Sequence, residues 1–580
     1  MIILGIGDVT HDASDYVLKD TQILAAIETE RLSRVKHGLK PDPKKYTLTE
    51  QAQDFTQQLP SRSAREAIHL RNIDYCLTAA HLKRTAIDHV FISSLFQDSI
   101  FSTPSPLDGI IHLLPTSHHK IHAASSFYTS PFESAAILAI DGYGTLNANQ
   151  YSDSILFARG EKNSLHSLKT IQGKMQQTEE EKALGIEAGH MVFSDSLGVF
   201  YQNITLLLGF GYFNEGKVMG LSAYGKANPH YASIQDWIQF HPEGGLSIQN
   251  REIFLLVQSW MDEIRTRISD PQLQFQAFAD LAFIHQTLLE KMIFHLCQAL
   301  HHETGETRLC LAGGVALNSV ANGKIQANTP FTEIHLIPPT GDNGIGLGAA
   351  LYGAHQALNL PRKLLKKFSP YLGKIYSSAD IHRALEPHPS LKRLSNPKNL
   401  SGEMLAATLL AQGKVIAWFN GATEIGPRAL GNRSLLADPR SKTIRDHLNF
   451  KVKHREFFRP FAPACLAEDF ETYFSAGSAG GTPFMLEIRY ATPLALQDIP
   501  AVIHVDESAR VQIIDPETNP QFDALVRAFK KITGIGVILN TSLNGPKEPI
   551  VETPEEAIQC FLNYPIDALF LNGEGFVKTF

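Results

Sequence analysis

His118 and His122 stand four residues apart in His118-His119-Lys120-Ile121-His122. On a helix that spacing puts both imidazoles on one face, where they can share one metal ion. Asp141 follows nineteen residues on, ending an apolar run at the turn Asp141-Gly142-Tyr143-Gly144-Thr145. Two imidazoles plus carboxylate oxygens suit a borderline divalent metal such as iron, manganese or zinc better than magnesium alone. The same spacing occurs in packed or surface histidine pairs, so it is a candidate and not a proof.

A second chemistry is cationic. Between Arg428 and Arg459 lie nine cations (Arg428, Arg433, Arg440, Lys442, Arg445, Lys451, Lys453, Arg455, Arg459) against Asp438, Asp446 and Glu456, a surplus of six charges. A charge run is ordinarily a solvated face. Here glycine, proline and aromatics interleave, as in Gly426-Pro427-Arg428 and Phe457-Phe458-Arg459-Pro460-Phe461. Cations held among apolar residues need anionic partners, and guanidinium forks suit phosphates. His504, Asp506, Ser508, Arg510 and Gln512 alternate, so on one strand they would share a face, either lining a pocket or forming a solvent-facing strand edge. Asn540-Thr541-Ser542-Leu543-Asn544-Gly545 offers short hydroxyls and amides after a strand, in a pattern that also suits a plain turn.

A third set is glycine-rich. Turns at Gly142 and Gly144, at Gly313-Gly314-Val315-Ala316-Leu317-Asn318, and at Gly341-Asp342-Asn343-Gly344-Ile345-Gly346 each follow an apolar segment. Glycine lets backbone N–H groups approach phosphate oxygens, and three such loops together fit the phosphate and adenosine loops of an actin-like ATPase fold. No G-x-x-x-x-G-K-[ST] loop accompanies them. Lys217, in Asn214-Glu215-Gly216-Lys217, is either a phosphate ligand or a solvated loop charge.

These residues need elements to hold them. Ile2–Ile6, Ala135–Ile140, Leu309–Leu311, Ile334–Ile337, Val415–Phe419 and Gly536–Leu539 read as buried strands, and Tyr16–Leu18 with Ile23–Ile27 reads as a hairpin. Phe278–Leu300 has helical spacing, so the chain is α/β. At 580 residues it exceeds one core. The basic, proline-broken stretch 359–385 predicts a crossover between domains 1–358 and 386–580. The net charge of -7 argues against a nucleic-acid coat, and five scattered cysteines with no C-x-x-C pair fit reduced thiols in a cytoplasm. No apolar run reaches membrane-spanning length and the N-terminus reads as a strand, so a cytoplasmic protein with no membrane partner is expected.

Glu424-Ile425-Gly426-Pro427-Arg428-Ala429-Leu430-Gly431-Asn432-Arg433-Ser434 and Lys453-His454-Arg455-Glu456-Phe457-Phe458-Arg459-Pro460-Phe461-Ala462-Pro463 closely resemble the NodU/CmcH O-carbamoyltransferases. So do His11-Asp12-Ala13-Ser14, Glu30-Arg31-Leu32-Ser33-Arg34-Val35-Lys36-His37, the His118/His122 segment and Glu215-Gly216-Lys217, from Gly5 to about Asn572. Gly7-Asp8-Val9-Thr10 departs from the commoner aromatic-containing run, which bears on the acceptor.

The resemblance implies an N-terminal actin-like ATPase (ASKHA) domain akin to threonylcarbamoyl transferases, and a C-terminal YrdC-like α/β domain. It implies that ATP with Mg2+ and carbamoyl phosphate yield carbamoyl-adenylate in the C-terminal domain. The carbamoyl group then passes to a hydroxyl of a small molecule, such as an antibiotic or other secondary metabolite, at an Fe2+ site in the N-terminal domain. By the same resemblance the metal ligands are His118, His122, Asp141 and Asp342. His11 is the acid/base with Lys36 beside it. Lys453, Arg455, Ser542 and Asn544 line the YrdC-like pocket, and Arg428, Arg459 and Arg510 hold phosphates. Gly142, Gly144, Lys217, Gly313, Gly314 and Asn318 complete the nucleotide contacts.

Carbamoyl transfer to a macromolecule such as tRNA, and a non-catalytic ATP- and metal-binding regulatory subunit, are the alternatives. A non-haem iron oxygenase ranks last, because it leaves the glycine loops and cations unused. Acceptor and oligomeric state, a homo-oligomer included, stay open.

Overall fold

The computed structural model describes residues 1–38, 61–96, 100, 101, 107, 109–176, 193–396, 398–475 and 483–579. They form two compact units. The first comprises Met1–Ile23, His37–Ile73 and Arg84–Phe368, and the second Leu24–Lys36, Asp74–Lys83 and Ser369–Phe580.

The first unit begins with β1 (Ile2–Asp8), β2 (Ser14–Lys19), β4 (His89–Ser94) and β5 (Ile111–Leu113), ordered β2-β1-β4-β5, while β3 (Gln22–Glu28) starts in this unit and from Leu24 on belongs to the second. β1 is antiparallel to β2 and parallel to β4, and β4 is parallel to β5. A second sheet uses β6 (Ser134–Ile140), β7 (Tyr151–Glu161) and β8 (Ser164–Lys174). A hairpin, β9 (Ile238–His241) and β10 (Gly245–Ile248), precedes its remaining strands, β11 (Arg308–Ala312) and β12 (Glu333–His335). Its order, β12-β11-β6-β7-β8, repeats the first around the leading strand: an antiparallel neighbour on one side and two parallel strands on the other. This duplicated topology is the architecture expected of an actin-like N-terminal domain. The 34-residue helix Pro271–Thr304 contains the expected Phe278–Leu300 stretch, with Asp270 capping its start and Gly305 (φ 67) ending it.

Small residues let the elements of this unit close together. A Cβ on Gly346 would lie 2.4 Å from the Ser14 carbonyl oxygen, and one on Gly348 would lie 2.2 Å from that of Ile121. The helix Ile345–Tyr352 therefore lies directly on β2 and on the helix His118–Tyr128. That second helix is capped by Ser117, whose side chain accepts from the Lys120 N–H. Beyond its other end Arg362 donates to the carbonyls of Phe127, Ser130 and Phe132 and stacks on Phe127 at 4.0 Å. A cation there also complements the helix dipole.

The second unit holds β13 (Leu391–Arg393), β14 (Ile416–Phe419), β15 (Arg433–Ala437), β16 (Ala462–Leu466), a small pair β17 (Arg489–Tyr490) and β18 (Ser508–Ala509), then β19 (Gln512–Ile514), β20 (Val537–Ser542), β21 (Ala568–Leu571) and β22 (Glu574–Lys578). Eight of these form one sheet, β13-β22-β21-β14-β15-β20-β16-β19. β14 shows why its sequence reads as a continuous apolar run. Ile416 and Trp418 face the core under the helices Gly402–Ala411 and Pro520–Thr533, while Ala417 and Phe419 face the core shared with Pro554–Asn563. Within 359–385, the helix Ser378–Leu385 sends Ile381 and Ala384 into this latter core.

The alternating segment 504–512 is not one strand. The His504 N–H donates to the Ser508 carbonyl and the Glu507 N–H to the His504 carbonyl, with Glu507 at φ 63, so a turn interrupts the alternation. His504, Asp506, Ser508, Arg510 and Gln512 accordingly share no single strand face. All five cysteines are free and buried, and no helix among the described residues is long and apolar enough to cross a membrane.

Candidate functional site

The turns after β6, β11 and β12 sit at the carboxyl ends of three adjacent strands, β6-β11-β12, all parallel. Ligands of open α/β sheets collect at such ends. Gly313 (φ 88) has no room for a Cβ, which would meet the Ile140 carbonyl oxygen at 2.1 Å, and a Cβ on Gly314 would lie 3.0 Å from Asp141 Oδ1. The glycines let these turns abut. Asp342 is brought in by the last turn, whose Asn343 carbonyl accepts from Ser14 Oγ at 2.8 Å and Tyr16 OH at 2.9 Å.

His118, His122, Asp141 and Asp342 converge, their ligand atoms all within 4.8 Å of one another. His122 Nε2 lies 2.9 Å from Asp141 Oδ2, 3.1 Å from His118 Nε2 and 3.3 Å from Asp342 Oδ1. His118 Nε2 lies 3.1 Å from Asp342 Oδ1 and 3.6 Å from Asp141 Oδ2. Donors at roughly 2.1 Å from one cation stand at about such separations from each other. Both imidazoles aim Nε2 inward, and the two carboxylates balance a divalent charge, so the residues fit a metal. Burial opposes charge on His118, but Asp342 and Asp141 outweigh it and push its pKa up to about 10. Burial likewise opposes charge on Asp141 and Asp342, and the two histidines hold both carboxyls below the usual range.

His11 lies beside this cluster, its Nε2 3.6 Å from Asp342 Oδ2. Its Nδ1 meets Asp12 Oδ2 at 3.0 Å, and His37 Nδ1 meets Asp12 Oδ1 at 2.9 Å. The Asp12 N–H also donates to the His37 carbonyl at 3.0 Å, and Asp12 takes a left-handed backbone (φ 53) to do so. Phe213 packs on both rings, with centroids 4.4 and 4.8 Å away. Asp12, His37 and Phe213 carry no separate signal in the sequence. Asp12 and His37 fall inside recognisable motifs, but only folding pairs them across 25 positions.

The glycine turns differ from the expected free N–H cradle. The Gly144 N–H donates to Ser152 Oγ at 2.7 Å, the Gly142 N–H to its neighbour Asp141 Oδ1 at 2.8 Å, and the Gly313 N–H to the Thr340 carbonyl at 2.8 Å. Gly142 faces open space. Asn318 caps the short helix Ser319–Asn322 and bonds Gln286. Lys217 lies in the first turn of the helix Glu215–Ser222 and not in a loop, its Nζ 5.4 Å from the Phe210 ring centroid.

In the second unit, folding sorts the basic stretch. Arg433 is fully buried, stacked on Phe419 at 3.7 Å and bonded to the carbonyls of Asn420, Gly421 and Asn432. Arg440 is held by Asp438. Arg428, Lys453, Arg455, Arg459 and Arg510 instead act on one another. Burial pushes Arg428 down to about 10, reinforced by Arg459, and Arg510 is lowered by burial together with Arg428, Arg459 and Arg455. Among the described residues, Arg428 and Arg510 have neither a carboxylate nor a hydrogen-bond partner, and Nε of each is shielded from solvent. Arg455 stacks on Phe461 at 4.3 Å and donates to Asn449 Oδ1 at 2.7 Å. Lys453 Nζ donates to the Ser542 carbonyl, to Asn544 Oδ1 at 2.6 Å and to the Asn544 carbonyl at 3.0 Å. Burial, reinforced by Arg455, Arg459 and Lys36, pushes its pKa down to about 7. Lys36 itself is exposed and clusters with this unit.

A metal-ligand cluster and a cluster of cations, two of them without a partner among the described residues, are thus in place, and comparison with known proteins gives them a family. The Carbamoyltransferase N-terminus model matches residues 110–351 and the Carbamoyltransferase C-terminus model residues 407–578. The chain belongs to the carbamoyltransferase family. Nodulation protein NolNO of Sinorhizobium fredii is 32% identical, covering 96% of this chain and 78% of its own. Nodulation protein NolO of Bradyrhizobium diazoefficiens is 34% identical over 78% of this chain and 77% of its own. An uncharacterized Synechocystis protein is 32% identical, over 100% and 97% of the two chains. Among solved structures, full-length HypF in its phosphate- and nucleotide-bound form reaches a TM-score of 0.39 at 13% identity over 61% of this chain and 55% of that one, too low a likeness to argue from. This carbamoyltransferase therefore carries an assembled histidine–carboxylate cluster in its first unit and, in its second, a cation cluster in which Arg459 pairs with Glu456 at 3.8 Å while Arg428 and Arg510 have no carboxylate partner among the described residues.

Proposed function

We propose that this carbamoyltransferase makes carbamoyl-adenylate from ATP and carbamoyl phosphate in a YrdC-like second unit. The first unit then transfers the carbamoyl group to a hydroxyl of a small-molecule acceptor. The observation that carries the reading is the partnerless pair Arg428 and Arg510 beside Lys453, Arg455 and Arg459. Partly buried cations without carboxylates are costly unless an anion joins them, and ATP with carbamoyl phosphate supplies dense negative charge.

Atoms balance if phosphate leaves carbamoyl phosphate to water, the resulting carbamate oxygen attacks the α-phosphorus of ATP, and pyrophosphate departs. Arg428, Arg459 and Arg510 hold the phosphates and stabilise the leaving pyrophosphate. Lys453, oriented by Ser542 and Asn544, and Arg455 position the carbamoyl donor. Lys36 adds its charge at Lys453.

In the transfer step the acceptor oxygen bonds to the carbamoyl carbon and AMP leaves. Asp12 accepts from Nδ1 of His11, which leaves Nε2, on the side of Asp342, as the nitrogen that would take the hydroxyl proton. His118, His122, Asp141 and Asp342 would hold Fe2+ or a similar divalent ion, which supplies a Lewis acid for the carbamoyl carbonyl and the adenylate phosphate. The adenylate would lie on the open face of Gly142, with Gly144, Gly313, Gly314, Asn318 and Lys217 as its further contacts.

Incubating the protein with ATP and carbamoyl phosphate, without acceptor, tests the reading. Mass spectrometry should find carbamoyl-adenylate, with matching pyrophosphate. Absence of both overturns it. A panel of hydroxyl compounds set against bulk tRNA then decides between a small-molecule acceptor and a macromolecular one.

A further inference from the structure

Resting on that reading of the cation cluster, we propose that Glu28 and Arg31 are positioning residues for its anion site, acting through Arg428. Both belong to the Leu24–Lys36 piece of the second unit, at the start of the short helix Thr29–Ser33. Both are buried, Arg31 at 1% exposure.

The pair grips both polar groups of one residue. Glu28 Oε1 accepts from the Gly426 N–H at 3.1 Å, and Arg31 donates from one terminal nitrogen to the Gly426 carbonyl at 2.6 Å. The two side chains are joined to each other, Arg31 donating from Nε to Glu28 Oε2 at 3.0 Å. Gly426 takes φ 103, a backbone that side chains rarely adopt, and Pro427 follows it with no N–H to offer. Glycine is the residue that reaches this backbone freely, so the turn is held in its shape by the clamp and not by Gly426 itself.

The other flank is tied as firmly. Glu424 Oε1 accepts from the N–H groups of Leu430 at 2.7 Å, Arg433 at 3.2 Å and Asn432 at 3.3 Å. The Leu430 carbonyl accepts from Tyr371 OH and Gln512 Nε2. The backbone on both sides of Arg428 is thus bonded to its surroundings, while its guanidinium has no partner among the described residues. Such a frame holds a cation in place for a ligand, and a rigid, pre-aimed guanidinium loses less freedom on binding a phosphate. The ligand class is the pyrophosphate group of a nucleoside triphosphate.

A double-mutant cycle in the full chain tests this, with inorganic pyrophosphate as probe and affinity read by calorimetry. Arg31→Lys keeps the charge but gives up the Nε bond to Glu28 and the planar fork that aligns it on Gly426. It and Arg428→Gln should each weaken binding about tenfold, and the double variant should bind no more weakly than Arg428→Gln alone. A residue that merely stabilises the fold would give losses that multiply. Multiplying losses, or wild-type affinity in Arg31→Lys, overturn the proposal. If Arg31→Lys does not fold, Glu28→Gln is carried through the same cycle. A wild-type protein that binds pyrophosphate but makes none from ATP and carbamoyl phosphate fails the functional reading and leaves the clamp standing. One that binds no pyrophosphate overturns both.

Discussion

Nζ of Lys453 lies 2.6 Å from Oδ1 of Asn544 and 3.0 Å from its carbonyl oxygen, so amide dipoles and no carboxylate face this buried ammonium. Its pKa is pushed down from 10.5 to about 7. Between those values the unfolded chain binds a proton that the folded one does not, so stability rises with pH across that window. Lys453→Met removes this dependence. Denaturation from pH 7 to 10 should show wild type gaining on the variant as pH rises, and an unchanging difference would refute the assignment. The variant should also lose pyrophosphate release by about a hundredfold or more.

Asp12 joins His11 and His37, and Asp12→Asn leaves an amide that can accept from only one of them. Carbamoyl transfer should fall by about 10²–10⁴-fold, while acceptor-free formation of carbamoyl-adenylate stays at its wild-type rate. Equal loss in both half-reactions would show that Asp12 acts on the fold and not on His11.

His118→Ala with His122→Ala leaves two carboxylates without their imidazole partners. Elemental analysis should find a divalent transition metal in the wild type and about none in the double variant. Wild-type protein should also melt lower after chelation, because the ion binds the folded state alone. Full metal content in the double variant would exclude this site.

Gly348 packs against the Ile121 carbonyl with no space for a methyl group. Gly348→Ala should destabilise the first unit by about 1–3 kcal/mol and weaken metal retention, because the helix behind Asp342 must move away from the helix bearing His118 and His122. A variant that melts and binds metal as wild type does would contradict this packing.

Much of the site was legible in residue types. The spacing of His118 and His122 already demands one helical face, and the structure puts them on a capped helix. The apolar runs at Ile2, Ala135, Leu309 and Val415 become central strands because apolar residues of that length must be buried. The motifs around Arg428 and Lys453, once matched to a family, marked the cation site. The duplicated sheet was not legible, because it repeats topology without repeating sequence. The alternation at 504–512 misled, since a local turn at Glu507 outweighs the strand period.

The sequence by itself determined which groups are available: two imidazoles one helical turn apart, glycines at strand ends, and an excess of cations in one stretch. Tertiary structure decided which of them meet. It placed Asp342 against a helix more than 200 positions earlier, and divided the cations into those satisfied by carbonyls and carboxylates and those, such as Arg428, without a partner among the described residues. It also set Glu28 and Arg31 on the Gly426 turn almost 400 positions away. Contacts of that separation follow from burial and close packing over the whole chain, which no local pattern of residues encodes.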